Sequence, residues 1–184
     1  MKLLAIVGSP RINGNTNFLV DAALDEALKS GLETEKIILS KYKIQPCLGH
    51  DDCAEYDACT QKDDTAWILD KFCAADAVIL ATPVYFYNVT AQMKAFIDRN
   101  FFIYNKTRKV KAHVVGYIIV TEMSGLEETE QALHNFVDWS LRVPRNRRFV
   151  MTAYAGAVGD AMNNSELEQN ARKLAKKLII AINK

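Results

Sequence analysis

At 184 residues, with 49% hydrophobic and 24% charged side chains, the chain has the size and balance of one globular domain with a full core. A formal net charge of +1 gives no electrostatic reason to expect nucleic acid or an anionic membrane as partner. No signal peptide and no apolar segment of bilayer length is visible, so a cytoplasmic location is expected, and disulfides are a poor expectation for Cys47, Cys53, Cys59 and Cys73.

The chain opens on Leu3-Leu4-Ala5-Ile6-Val7, an apolar run that reads as a strand buried on both faces. Gly8-Ser9-Pro10-Arg11-Ile12-Asn13-Gly14-Asn15-Thr16-Asn17 follows, and from Phe18 to Leu28 the apolar spacing is helical. A strand-to-helix turn rich in Gly, Ser, Asn and Thr reads as a phosphate cradle, because the first N–H groups of a helix lack internal partners and its dipole favours an anion. It is not a Walker loop, since Asn15-Thr16 stands where Lys-Ser/Thr is required, and Pro10 breaks the dinucleotide fingerprint. Hydroxyls and amides with one cation, Arg11, suit a terminal monophosphate. A tight turn that merely caps its helix is the bland alternative.

Glu35 to Leu39 reads as the second strand, and residues 40–63 as a polar loop too long to be a mere connection. Asp64 to Cys73 reads as a short helix, Ala77 to Thr82 as a third strand ended by Pro83, and Thr90 to Arg99 as a helix. His113 to Thr121 is the expected fourth strand, Leu126 to Ser140 an amphipathic helix, and Arg148 to Tyr154 the fifth strand. Ser165-x-x-Glu168 reads as a capping box that opens a last helix to about Asn183. Five strands interleaved with helices predict an α/β fold, a doubly wound parallel sheet with helices on both faces. Ligands of such sheets bind beyond the carboxyl ends of the strands, which selects residues 8–17, 83–88, 121–125 and 155–160.

Thr82-Pro83-Val84-Tyr85-Phe86-Tyr87-Asn88 leaves the third strand where a ligand should sit. Aromatic faces and open backbone amides there suit a flat heteroaromatic ring, although at least one of the three aromatics is expected to pack on a neighbouring helix instead. A monophosphate cradle and a flat-ring site on one sheet fit flavin mononucleotide, FMN. These two motifs, with Lys94-Ala95-Phe96-Ile97-Asp98-Arg99 after them, resemble the NADPH-dependent FMN reductase family of flavodoxin-like proteins. The resemblance covers most of the chain, and implies one flavodoxin-like FMN-binding domain over residues 1–184 with a cysteine-bearing loop at 44–63.

By that resemblance Ser9, Arg11, Asn15, Thr16 and Asn17 hold the phosphate, and Pro83, Val84, Tyr85, Phe86 and Asn88 line the ring. Thr121 and Gly125, after the fourth strand, complete the candidate cofactor set. The implied activity is an FMN-dependent oxidoreductase: NAD(P)H, the co-substrate, reduces the flavin and leaves, and a quinone, flavin or other small acceptor then takes the electrons. A homodimer or homotetramer with the flavin near an interface is also implied. No side chain is assigned as acid or base, and Tyr85 and Glu122 are candidates for tuning only. Where many relatives carry a glycine pair, this chain has Thr121-Glu122-Met123-Ser124-Gly125. An ionised Glu122 close to a flavin would disfavour the anionic reduced form and lower its potential, whereas a loop glutamate more commonly points to solvent.

Pro46-Cys47-x-x-His50-x-x-Cys53-x5-Cys59 resembles the compact cysteine motif of iron–sulfur flavoproteins related to this family, with His50 where a fourth cysteine would stand. Three readings stay open: a loop without metal, an iron–sulfur cluster with His50 as an unusual ligand, and zinc, whose usual spacers are longer. Metal is not predicted. A cluster there would favour the alternative function, an electron carrier working with a protein partner. Cys73 is expected to pack with Trp67, Ile68, Leu69 and Phe72. The basic runs Lys106-Thr107-Arg108-Lys109-Val110-Lys111 and Arg145-Asn146-Arg147-Arg148 read as solvated faces, and His113 and His134 as structural. No Ser-His-Asp order, His-Glu-x-x-His motif or close carboxylate pair argues for hydrolysis.

Overall fold

A computed structural model describes residues 1–106 and 109–184; Arg108 of the first basic run lies outside them. The chain runs β1 (Lys2–Val7), α1 (Asn15–Lys29), β2 (Glu33–Ile38), α2 (Thr65–Ala74), β3 (Ala77–Pro83), α3 (Ala91–Arg99), α4 (Phe101–Asn105), β4 (Val114–Thr121), α5 (Leu126–Ser140), β5 (Arg148–Tyr154) and α6 (Ser165–Ile182). All five strands are parallel in the order β2-β1-β3-β4-β5, the flavodoxin-like arrangement.

The three central strands, β1, β3 and β4, are almost continuously apolar because both of their faces are covered, whereas the edge strands β2 and β5 carry polar residues. Leu3, Ala5 and Val7 of β1 join Ile118 and Val120 of β4 in a layer closed by α1 and α6. Leu4 and Ile6, with Val115, Tyr117 and Ile119, face α2 to α5 on the other side. This is the period-two alternation of a strand read twice, once into each layer. Connection direction explains which helix goes where. The first crossover moves one way along the sheet and all later ones move back, so a single crossover hand puts α1 on one face and α2 to α5 on the other. Phe96, fully buried between Phe72 and Phe136, is a keystone of the second layer; its truncation to Ala costs about 3–5 kcal/mol.

Several boundaries differ from the sequence reading. Helix α1 starts at Asn15, three residues before the apolar periodicity is readable, so Asn15, Thr16 and Asn17 form its first turn. Strand β2 covers Glu33–Ile38, and Leu39 already belongs to a 3-10 turn, Leu39–Lys41. The final helix is not capped by the Ser165 box. Asn164, in extended conformation, accepts from the N–H groups of Glu166 and Leu167, and Glu168 is engaged by Arg172 instead.

The second basic run is not simply a solvated face. Arg148 is buried, donates to the carbonyl of Val143 at 2.8 Å and pairs with Asp138. Its guanidinium also approaches His134, whose ring lies 3.2 Å from the Tyr117 hydroxyl. Burial and the charge of Arg145 push the His134 pKa down, against the opposing pull of Glu130. His134 is thus a structural residue, as expected, and His113 likewise sits 3.4 Å from the carbonyl of Ile182.

Candidate functional site

The site lies at the switch point, where β1 is followed in space by β3. Gly8 follows β1 directly and donates its N–H to the Ala81 carbonyl at 2.7 Å, while Thr90, the N-cap of α3, donates its hydroxyl to the Gly8 carbonyl at 2.7 Å. A Cβ at residue 8 would stand 2.8 Å from both Met93 Cβ and Thr90 Oγ1. Glycine is required there because α3 is pressed against the backbone.

Beyond Gly8 the turn is closed by its own polar groups. The Arg11 carbonyl accepts from the Gly14 N–H at 3.1 Å, the Asn17 amide at 3.0 Å and the Ser9 hydroxyl at 3.3 Å. The N-cap of α1 is Gly14, which carries no side chain to occupy the first helical amides. Those N–H groups therefore face the cleft as the positive end of the helix dipole. This departs from a merely capped turn, in which a side-chain oxygen would use them.

The opposite wall is a hairpin. Tyr85 and Asn88 exchange both backbone hydrogen bonds, at 2.9 and 3.1 Å, across a turn whose central residues, Phe86 and Tyr87, have φ of 48° and 60°. Both central residues being left-handed is the geometry of a two-residue hairpin turn, adopted here by aromatics at about 1–2 kcal/mol each. Gly125, with φ of 85°, makes room for it: a Cβ there would meet Val84 Cγ1 at 2.7 Å and Tyr87 Cα at 2.9 Å. Thr121 turns the β4 end by donating its hydroxyl to the Ser124 carbonyl at 2.6 Å.

One cleft gathers Ser9, Arg11, Gly14, Asn15, Thr16, Pro83, Val84, Tyr85 and Thr121, and with them Val120, Glu122, Ala155, Gly156 and Val158. Eight of the twelve residues expected to bind a cofactor thus share a lining; Asn17, Phe86, Asn88 and Gly125 stand outside it. Asn17 braces the turn, the Phe86 ring is fully exposed, the Asn88 side chain accepts from the Val89 N–H, and Gly125 backs the hairpin. Asn15 differs most from its expected role. Its amide donates to the carbonyls of Ala155 at 3.2 Å and Ala157 at 2.7 Å, and its oxygen accepts from the Ala161 N–H at 3.1 Å. The side chain is fully used in tying the β5–α6 loop to the cradle, which leaves its backbone N–H for a ligand. Thr16, 2% exposed, keeps a hydroxyl with no partner among the described residues.

This geometry meets a sequence match. The chain matches the NADPH-dependent FMN reductase family over residues 1–169. It belongs to that family. It is 37% identical to an iron–sulfur flavoprotein of Methanocaldococcus jannaschii, over 97% of this chain and 95% of the relative. An iron–sulfur flavoprotein of Archaeoglobus fulgidus is 40% identical over 87% of this chain and 73% of its own length. In fold it resembles the NAD(P)H:quinone oxidoreductase of Methanothermobacter marburgensis, with a TM-score of 0.73, 13% identity and 97% of each chain covered. Membership makes this chain a flavodoxin-like flavoprotein of an FMN-binding oxidoreductase family. No helix among the described residues is long and apolar enough to cross a membrane.

The cleft fits FMN on its own terms, with uncapped helical amides, a free guanidinium and a hydroxyl at one end, and Pro83 to Tyr85 along the other. The cysteine loop does not fit a cluster as it stands. Among the described residues no three His, Cys, Asp or Glu side chains converge to hold a metal ion. The loop is held by other means. Arg99, 1% exposed, donates to the Gln45 carbonyl at 2.9 Å, to both oxygens of Asp63, and to Cys59 Sγ at 3.1 Å. Cys53 donates to the His50 carbonyl at 3.2 Å; burial first, and then the neighbouring Cys59 and Cys47, push its thiol pKa up. Burial alone would raise the Asp63 pKa, but Arg99 and the N–H groups of Gln45 and Thr65 hold it at about 2. Cys73 is buried with Ile68, Leu69 and Phe72, as expected, and no disulfide joins any of the four cysteines. None of residues 40–63 lines the cleft. Arg99 ends α3, whose first turn touches the cradle, so the loop's anchor is about 13 Å along the helix from it.

Proposed function

We propose that this chain, acting as one domain, binds a single FMN with its phosphate at the start of α1 and its ring along Pro83, Val84 and Tyr85. It takes electrons from NAD(P)H and delivers them to a quinone, a flavin or another small acceptor. The observation that carries this reading is that a single lining joins an uncapped helix start to the Pro83–Tyr85 wall, at the switch point of the sheet. The α1 amides, Arg11 and Thr16 hold the phosphate, and Asn15 and Asn17 keep the turn in the shape that presents those amides. Bound FMN supplies the hydride and electron chemistry; the protein supplies position and electrostatics. No side chain in the cleft is required as an acid or base. The apolar groove of Ile97, Phe101, Tyr104, Phe136 and Trp139 between α3, α4 and α5 supports assembly as a homodimer or homotetramer.

FMN titration followed by flavin fluorescence tests the phosphate assignment. Arg11→Ala and Thr16→Ala each remove one donor and should weaken FMN about 10- to 100-fold, the range for a hydrogen bond to a charged group. Unchanged affinity in both would overturn it. The names of the archaeal relatives favour a second reading, an iron–sulfur electron carrier. Anaerobically purified protein is expected to show flavin bands without stoichiometric iron, and to oxidise NAD(P)H steadily with a quinone. Several irons per chain and no steady turnover would establish the carrier instead.

A further inference from the structure

Glu122 is the one carboxylate that lines the cleft, and among the described residues no hydrogen bond or ion pair reaches it. Its stem is placed by Gly156 across the cleft floor. A Cβ at residue 156 would lie 2.7 Å from Glu122 Cγ, 3.1 Å from Cδ and 3.3 Å from Cβ, so any side chain there would displace it. Gly156 has no positive φ, hence glycine serves here for space and not for backbone conformation. The strand order puts Glu122 beside the ring wall. That wall leaves β3 and Glu122 leaves the adjacent β4, and Val84 of the wall donates its N–H to the Val120 carbonyl at 2.7 Å, two residues before Glu122. Both share one lining.

We propose that Glu122 is an electrostatic tuning residue that keeps the two-electron-reduced ring from becoming an anion and thereby lowers the potential of the bound flavin. The proposal rests on the FMN reading above. The reduced ring ionises at N1; a fixed negative charge beside it raises the pH at which that proton leaves. Below that pH the reduced ring is neutral with or without Glu122, and the potential is unaffected. Above it the protein without the charge binds reduced FMN more tightly. The other titratable side chains of the lining are Arg11, at the phosphate end, and Tyr85, on the hairpin. Asp160 lies behind the wall and accepts from the Ala157 N–H, while Glu127 and Glu128 stand in the first turn of α5. All of these remain when Glu122 is changed, so the difference between variants isolates its charge.

The test is a redox titration of FMN-loaded protein against pH, for the wild type, Glu122→Gln and Glu122→Asp. One unit charge at an exposed site is worth about a tenfold change in the affinity of reduced over oxidised FMN. Glu122→Gln should therefore move the break in potential against pH down by about one unit. Below the break it should match the wild type, and above it stand about 30 mV higher, the value of a tenfold change for two electrons. Glu122→Asp, which keeps the charge, should stay within half of that shift, whereas a purely structural role would move both variants alike. Identical potentials and breaks in Gln and wild-type proteins that both hold FMN would overturn the assignment of Glu122 alone. A wild-type protein that takes up no FMN in the preceding titration would overturn the cofactor reading, and this proposal with it.

Discussion

Replacing Asn15 with Ala probes whether the cleft is one structure or two independent loops. The side chain makes three hydrogen bonds, to the carbonyls of Ala155 and Ala157 and from the N–H of Ala161, across 140 to 146 residues of sequence. At about 1 kcal/mol net each, their loss costs roughly 3 kcal/mol. The figure is not softened by solvent at Ala155 and Ala161, which are buried and would be left with unpaired backbone groups. That is a large part of the roughly 5–15 kcal/mol available to a domain of this kind. Urea unfolding should show a lower midpoint with an unchanged slope, and FMN should bind more weakly because Ala155, Gly156 and Val158 form a wall of the cleft. Asn15→Asp sharpens the test. A carboxylate in the first turn of a helix is stabilising by about 0.3–1 kcal/mol through the dipole alone. Here it would instead face the Ala155 and Ala157 carbonyls and lose both donors. An Ala variant that loses less than about 1 kcal/mol, or an Asp variant more stable than the wild type, would refute the reasoning.

The remaining predictions concern the ion pair under the cysteine loop. Asp63, with no side-chain exposure, drops from an ordinary 3.8 to about 2 in the fold. A depressed carboxylate adds stability above its unfolded pKa that disappears as pH falls through the folded one, so the wild type should lose about 2 kcal/mol more than Asp63→Asn between pH 4 and pH 2; parallel urea midpoints over that range would contradict it. Arg99→Met leaves that carboxylate buried without its cation and should cost about 3–5 kcal/mol at pH 7, measured by the same unfolding curves; a loss below about 1 kcal/mol would show that the pair is not what fastens the loop.

What the sequence made legible was local. The β1 run, the polar turn and the periodicity of α1 lie within thirty residues, and the parallel order of the sheet follows from alternation alone. Ser9, Arg11, Thr16, Pro83, Val84, Tyr85 and Thr121 were named by the family resemblance, and they lie in segments at the carboxyl ends of strands or in the helix turn that follows. The same reasoning treated every polar residue of a ligand loop as a ligand contact, and it did not show that the side chains of Asn15 and Asn17 also bond within the protein. Their partners are backbone carbonyls, and those of Asn15 come from the other end of the chain, which leave no mark in residue type. Residues 155–160 were selected as a segment, but Ala155, Gly156 and Val158 carry no chemistry that would single them out. They contribute shape, and Gly156 contributes an absence of atoms.

The cysteine loop shows the converse, a spacing that resembles a metal motif in side chains that make other contacts. The spacing of Cys47, His50, Cys53 and Cys59 resembles a metal motif because ligands close in sequence can converge at little entropic cost. Convergence also requires that nothing else claim the donors. Here Cys53 is turned into the core layer and hydrogen-bonds to a carbonyl, while Cys59 accepts from a guanidinium. The residue that organises this arrangement is Arg99, and nothing near it in sequence announces that: on α3 it looks like an ordinary basic C-terminal residue, favourable to the helix dipole. Its partners Gln45, Cys59 and Asp63 lie 54, 40 and 36 residues away. A buried guanidinium needs several acceptors at once, and a long polar loop is an economical source of them. The length of residues 40–63 is then explained by the bracing of α3 and α4, whose Lys106 end also donates to the Ala54 carbonyl. A metal at this loop would have to displace the Arg99 contact with Cys59 first, so the Arg99→Met protein is also the one in which any latent affinity of these thiols for metal would be most exposed.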